Sequence, residues 1–295
     1  MIFDLLEKEE GIQSNAPAHF HPEDLIGDLP MQNFIKTPLP CEPVLLLTGC
    51  IDPRGMRDTV RNNPDIRRQD YLKAFRRWVT ESHFQKIVFC ENSGADLSDF
   101  EEIARGSGKE IDLLSFTAPN YPVKRGKSYG EMLILEHAIE NSSLIGADTR
   151  IMKCTGRLFI LSHRKYYQHG KEQEFDFSVD MNRGLSECEV RVFFASADFL
   201  RRFLFPFRGR LDETVSPQIC LEQVVGQAAN RALSELMVYS PLPCAQLYVG
   251  HSGSLGHKYS PWQSMIGRAM KIVPASRMQG GFMYKLNSLR IKFRK

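Results

Sequence analysis

Two stretches of the chain set positive charge beside glycine in a way that suits an anionic ligand. In Met152-Lys153-Cys154-Thr155-Gly156-Arg157 a strand-like run ends in a glycine flanked by two cations. Exposed at a strand end, Lys153 and Arg157 could neutralise a phosphate or diphosphate leaving group. In Val123-Lys124-Arg125-Gly126-Lys127-Ser128-Tyr129-Gly130-Glu131 a basic, glycine-punctuated loop enters a helical pattern. A helix N-terminus with Lys127 close by favours an anion. Glu131, in the first turn, has the simpler role of helix cap. For the cations the plain alternative is a solvated charge at a strand end or in a loop.

Other chemistry-bearing patterns are missing or weak. No Gly-x-Gly-x-x-Gly follows a strand, and the sequence holds no P-loop and no His-Glu-x-x-His. Gly250-His251-Ser252-Gly253 has the wrong spacing for a nucleophile elbow and fits a polar turn. The seven cysteines are widely spread and odd in number, which argues against a zinc site and a disulfide framework. Reduced, buried thiols account for them. His19-Phe20-His21 could bind a metal, but an exposed loop pair accounts for it equally simply.

The elements that must position these residues are legible from hydrophobic period. Residues 43–49 form a continuous apolar run ending in a Gly turn, the pattern of a buried parallel strand. Residues 69–82 read as a helix with Tyr71, Leu72, Phe75, Trp78 and Val79 on one face. Strands over 85–90, 111–116 and 149–155 alternate with helices over 97–106 and 129–141. This alternation predicts βαβ units and an α/β fold with a mainly parallel sheet flanked by helices. Beyond residue 160 the pattern changes to a smaller, partly antiparallel extension: strands over 157–162, 175–181 and 191–195, then helices over 197–204 and 219–236. Ligands bind beyond the carboxyl ends of such strands. That selects Thr48 to Asp52, Glu91 to Gly94, Phe116 to Tyr121 and Thr155 to Arg157.

The chain has 295 residues, 42% hydrophobic and 25% charged, the make-up of an ordinary globular protein. No run approaches the ~20 apolar residues of a membrane span. The acidic N-terminus does not resemble a secretory signal, so a cytoplasmic location is expected. Residues 236–295 contain no acid and nine bases, leaving 29 bases against 35 acids upstream. Such asymmetry points to a polyanionic partner. The expected organisation is an N-terminal extension over 1–42, a main domain over 43–245 and a basic C-terminal segment over 246–295.

Taken in order, several segments resemble a family of bacterial surface-polysaccharide glycosyltransferases. They are Leu47-Thr48-Gly49-Cys50-Ile51-Asp52-Pro53, Arg68-Gln69-Asp70-Tyr71, Phe89-Cys90-Glu91-Asn92-Ser93-Gly94, Gly126-Lys127-Ser128-Tyr129-Gly130-Glu131 and Lys153-Cys154-Thr155-Gly156-Arg157. The order continues with residues 178–183, with residues 189–195, with Glu222 and with Ser252-Gly253. The resemblance covers roughly residues 44–260, and the order and spacing of the segments carry it. It implies a GT-A-like Rossmann-type core and a nucleotide-sugar donor. Donor-binding positions are then Thr48, Gly49, Asp52, Asn92 and Lys127, with Lys153, Gly156 and Arg157 at the donor phosphate. Asp180, Glu189, Arg191 and Glu222 would surround the sugar and acceptor, with Asp180 and Glu222 as candidate catalytic bases. The wider GT-A pattern carries Asp-x-Asp at the end of its fourth strand to hold a divalent metal. Here that segment reads Lys-Cys-Thr-Gly-Arg, so no obligatory metal and no other cofactor is expected.

The acceptor implied is a saccharide, lipid-linked in such pathways, which would bring the enzyme to the inner face of the cytoplasmic membrane. The C-terminus supports this independently. Phe282, Leu286, Leu289 and Phe293 form one helical stripe flanked by Lys285, Arg290, Lys292, Arg294 and Lys295. That pattern suits an anionic membrane surface; an edge strand over 289–294 or a solvated tail are the alternatives. Two further functions stay open. A noncatalytic nucleic-acid-binding protein would use the basic tail with Phe282, Tyr284 and Phe293, although the acidic first 235 residues argue against a nucleic-acid partner. A nucleotide-sugar hydrolase would turn over donor without an acceptor.

Overall fold

The computed structural model describes residues 41–56, 58–117, 125–182 and 185–259. Residues 1–40 of the expected N-terminal extension (1–42) and the C-terminal stripe expected to meet a membrane lie outside the described residues.

The core is a seven-stranded sheet in the order β10-β6-β9-β4-β1-β2-β3. Its strands are β1 (Val44–Gly49), β2 (Lys86–Glu91), β3 (Glu110–Ser115), β4 (Arg150–Thr155), β6 (Phe177–Ser178), β9 (Val192–Ser196) and β10 (Tyr239–Ser240). β1 pairs in parallel with β2 and β4, and β2 with β3. β9 runs antiparallel to both of its neighbours, β4 and β6. A three-stranded antiparallel sheet joins β5 (Leu158–Ile160), β11 (Tyr248–His251) and β12 (Lys258–Tyr259). A short hairpin pairs β7 (Met181–Asn182) with β8 (Glu187–Cys188). This is the mainly parallel α/β architecture that the alternating pattern predicts. β5–β11 pairing carries the packed body past residue 245, because Tyr248 and Val249 lie opposite Ile160 and Phe159.

Helices cover both faces. Every residue of β1 is buried, as a central parallel strand requires. Its alternate residues serve two cores. Leu45 and Leu47 face Tyr71, Phe75 and Trp78 of α1 (Pro64–Glu81), Phe100 of α2 (Ser98–Ala104) and Tyr166 of α4 (His163–Glu172). Val44 and Leu46 face Met132, Leu135 and Ala138 of α3 (Lys127–Asn141) and Val224, Val225 and Ala228 of α6 (Leu221–Ser234). Trp78 is fully buried and its Nε1–H donates to Leu158 O at 2.8 Å, tying α1 to β5.

Three helical segments differ from the sequence expectation. α1 begins at Pro64, five residues before the expected start at 69, because the Asn63 side chain accepts from Ile66 N at 3.0 Å and proline suits the first turn. α4, a polar segment that gives no clear period, forms where Tyr166 and His169 reach the core. The expected helix over 197–204 is broken into α5 (Ala197–Phe199), a π-helical turn over Leu200–Leu204 and a 3-10 turn over Phe205–Arg210.

The start of α3 shows how the fold prepares the site. Gly126 adopts φ 95°, and a Cβ there would meet Glu213 Oε2 at 2.5 Å. The buried Glu213 accepts from Ser128 N at 2.9 Å and Ser128 Oγ at 2.5 Å. The helix N-terminus expected to take an anionic ligand is therefore capped by a carboxylate from elsewhere in the chain. Replacing Glu213 by Ala should cost about 1–3 kcal/mol, the range for a lost cap and unsatisfied buried donors. Glu213→Gln, which keeps an acceptor, should cost less. Urea denaturation midpoints measure both.

Candidate active site

Strand register sets the position of the site. Thr48 of β1 lies level with Cys90 of β2 and Thr155 of β4. β1 sends its successor to one side and meets β4 on the other, so the strand order reverses between β1 and β4. Ligand crevices in open α/β sheets form at such a point. Here a cavity of about 400 Å³ opens at the carboxyl ends of these strands. Gly156 N donates to Thr48 O at 2.8 Å, tying the end of β4 to β1 beside it.

The loop after β1 is held by a polar hub. Arg67, 5% exposed, donates from Nε and Nη2 to Cys50 O at 2.8 and 2.5 Å, and from Nη1 to Arg61 O at 3.0 Å. The Tyr71 hydroxyl accepts from Cys50 N at 3.0 Å, Arg67 Nη2 at 3.3 Å and Arg157 Nη1 at 3.3 Å. Arg157 Nε donates to His251 O at 3.0 Å. Its Nη2 meets no protein acceptor among the described residues, and a Cβ at position 253 would lie 2.7 Å from it, so Gly253 leaves room for the guanidinium. Arg157 thus enters the cavity fixed on two sides. The roof loop is tied back in turn: Val60 N and Arg61 N donate to Ser254 O and Gly253 O, while Asp70 pairs with both Arg61 and His251 Nδ1.

The opposite wall is acidic. Glu131 Oε1 accepts from Thr48 Oγ1 at 3.1 Å and pairs with the Lys153 ammonium. Lys153 is 1% exposed and donates as well to Val190 O at 2.5 Å. The exposed strand-end cation expected at position 153 is thus a buried one. Side chains alternate along β4, so Lys153 points with Ile151 beneath α3 while Arg157 lies past the strand end. Glu131, expected as a helix cap, is instead the partner of this cation.

Glu222, near the N-terminus of α6, lines the cavity too. Burial pushes its carboxyl pKa up, and the nearby charges of Glu131 and Glu189 raise it further. Glu189 makes a bidentate pair with Arg191, whose guanidinium stacks 4.7 Å from the Tyr248 ring centroid and 5.3 Å from that of Tyr259. Burial would lower the Arg191 pKa, but the Glu189 hydrogen bonds outweigh it and hold the guanidinium above its ordinary value. Cys50 also faces the cavity, yet burial pushes its thiol up to about 11, so it is no thiolate nucleophile at neutral pH.

The structure brings Thr48, Gly49, Asn92, Lys127, Arg157, Glu189, Arg191 and Glu222 around one cavity. Asp52, Lys153, Gly156 and Asp180 are not on its lining. Asp52 is exposed and accepts from Arg54 N at 2.9 Å, while Asp180 is half-buried near Gln246 Nε2 at 3.4 Å. Sequence reasoning missed Arg67, the Tyr71 hydroxyl and Glu131. A phenol on an apolar helix face that needs a partner, with Arg67 one turn before it, was the available signal. Among the described residues no group of three or more His, Cys, Asp or Glu has the arrangement of a metal site. Nor, among them, is any helix long and apolar enough to cross a membrane.

No protein-family model matches the chain, and no curated protein matches its sequence. Among solved structures it is similar to a putative glucose-1-phosphate thymidylyltransferase from Bacillus anthracis, at 10% identity over 71% of this chain and 89% of that one, with a TM-score of 0.39. It is similar to a cytidylyltransferase from Leptospira borgpetersenii at 12% identity over 80% of this chain and 98% of that one, TM-score 0.40. The third is the glycosyltransferase GlyE of Streptococcus pneumoniae, at 9% identity over 68% of this chain and 45% of that one, TM-score 0.38.

The raised carboxyl of Glu222 makes a stability prediction. A carboxyl whose folded pKa lies above its unfolded value binds protons more readily in the folded state, so it destabilises the fold above both values. That penalty vanishes as pH falls below the unfolded value of about 4.3. Glu222→Gln should therefore raise the melting temperature at pH 7, and the gain should shrink as pH is lowered through the carboxylate range. A gain independent of pH would assign the effect to packing.

Proposed function

We propose that this chain is a nucleotide-sugar-dependent glycosyltransferase that passes a sugar to a saccharide acceptor. The observation that carries this reading is the cavity at the sheet's switch point, with a fixed, partly unsatisfied guanidinium at one side and a carboxylate of raised pKa at another. Arg157, with Lys127 at the start of α3, holds the donor diphosphate and stabilises it as it leaves. As the bond from the anomeric carbon to the phosphate oxygen breaks, an acceptor hydroxyl forms the new bond. Its proton passes to Glu222, whose raised pKa makes it a stronger base than an ordinary carboxylate. Lys153 acts here by holding Glu131 in place. Following the sequence resemblance, the acceptor is a lipid-linked precursor of a bacterial surface polysaccharide, met at the inner face of the cytoplasmic membrane.

A thermal-shift screen of nucleoside diphosphates and nucleotide sugars identifies the donor. A ligand at 100 times its Kd stabilises by about 2.7 kcal/mol. Mass spectrometry of the products then separates transfer to a saccharide from release of free sugar, which would mark a hydrolase. Formation of a nucleotide sugar from a nucleoside triphosphate and a sugar phosphate would replace the proposal by nucleotidyl transfer. Arg157→Ala should weaken donor binding about 10- to 100-fold, the loss of a charge-assisted hydrogen bond. Glu222→Gln should keep donor binding and lose about 100-fold or more in transfer.

The end of β4 and the turn after it carry Lys153 and Arg157 where a metal-binding pair of acids would stand, so transfer should persist in EDTA. Complete loss restored by manganese or magnesium would overturn that part of the proposal.

A further inference from the structure

The wall formed by the ends of β1 and β2 and the first turns of α3 carries two hydrogen-bond acceptors open to a ligand, one of them with no donor among the described residues. Asn92 is 7% exposed and lines the cavity. Its Nδ2 donates to Gly130 O at 3.2 Å, which fixes the amide, and its buried Oδ1 meets no donor among the described residues. The residue after Gly130 is Glu131. Its Oε1 is taken up by Thr48 and Lys153, and with the side chain 24% exposed on the cavity wall the carboxylate can also accept from a ligand. A buried acceptor without a donor is costly, and its presence calls for an explanation such as a ligand.

Two acceptors anchored on adjacent residues of α3 call for a ligand group that donates twice. A fully ionised phosphate or carboxylate has no proton to give. A vicinal diol has two hydroxyl donors on neighbouring carbons. Lys153 neutralises Glu131, so the wall can accept hydrogen bonds without a net negative charge that would repel a phosphate at Arg157. We propose that Asn92 and Glu131 form a hydroxyl-binding subsite for a vicinal diol of a sugar ring, separate from the cationic end of the cavity. The diol belongs either to the ribose of a nucleotide or to the transferred sugar. The inference rests on the transferase reading for its ligand being a nucleotide sugar.

The test is equilibrium binding to the full chain and to its Asn92→Ala and Glu131→Gln variants, with melting temperatures recorded. Ribonucleoside 5′-diphosphates are compared with their 2′,3′-dideoxy counterparts, and nucleotide sugars with the parent diphosphates. The wild type should prefer the diol-bearing partner in one comparison by about 10- to 100-fold, and both variants should lose that preference. Loss in the first comparison places ribose in the subsite; loss in the second places the transferred sugar there. Glu131→Gln removes the counter-charge of Lys153, so Asn92→Ala, which leaves that pair intact, carries the test if the other variant fails to fold. Folded variants that keep the wild-type preference, or a wild type with none, overturn the proposal. Lost preference in a protein that transfers no sugar upholds the subsite and sinks the transferase reading; retained preference in an active transferase does the reverse.

Discussion

A buried ammonium must find a carboxylate, and that requirement at Lys153 organises the centre of this molecule. Moving an unpaired charge out of water costs several kcal/mol even after relaxation. Lys153 sits on the middle of β4 with its side chain beneath α3, where Glu131 and Val190 O meet it. The pair fixes how α3 docks on the sheet, and Thr48 Oγ1 adds the end of β1 to the same knot. α3 must therefore begin where it does, with its first N–H groups capped by Glu213 and with Lys127 at the mouth of the cavity. A hydrophobic pair of the same volume could fill this space at equal or lower cost. An ion pair there keeps a carboxylate on the cavity wall.

The second organising group is the Tyr71 hydroxyl. It lies where the apolar face of α1 meets the ends of β1 and β4, and it accepts from two guanidinium groups and one backbone N–H. Arg67 is wholly engaged in holding the turn after β1, whereas Arg157 keeps part of its guanidinium for the cavity. The same type of side chain, with the same hydroxyl as neighbour, thus has a structural use in one case and an open one in the other. The difference comes from position: Arg67 rises from the buried side of a helix, and Arg157 lies two residues past the end of β4 at a crevice.

Charge in the cavity is divided. Arg157 and Lys127 offer positive charge, Glu131 is compensated by Lys153, and Glu189 is compensated by Arg191 between two tyrosine rings. Among the described residues Glu222 is paired with no cation in this way; Lys127 opposes the shift, but burial and its acidic neighbours raise its carboxyl pKa. Carboxylates in such different settings can take different roles, one binding and one moving a proton.

The sequence by itself determined the layers. Continuous apolar runs marked β1 to β4, the stripe from Tyr71 to Val79 marked α1, and the parallel order followed from alternation, because each pattern is local and survives without knowledge of its neighbours. It also pointed to the strand ends, since Thr48, Asn92 and Arg157 are placed by topology alone. Tertiary structure alone decided which charges face the cavity. Lys153 and Arg157 look equivalent four residues apart in the sequence, yet strand alternation buries one and the strand's end exposes the other. Glu131 looks like a helix cap until Lys153 is brought beneath it, and Glu213, 82 residues further along, takes the capping role instead. Pairing between distant residues is set by packing and desolvation, and a linear pattern carries no record of it.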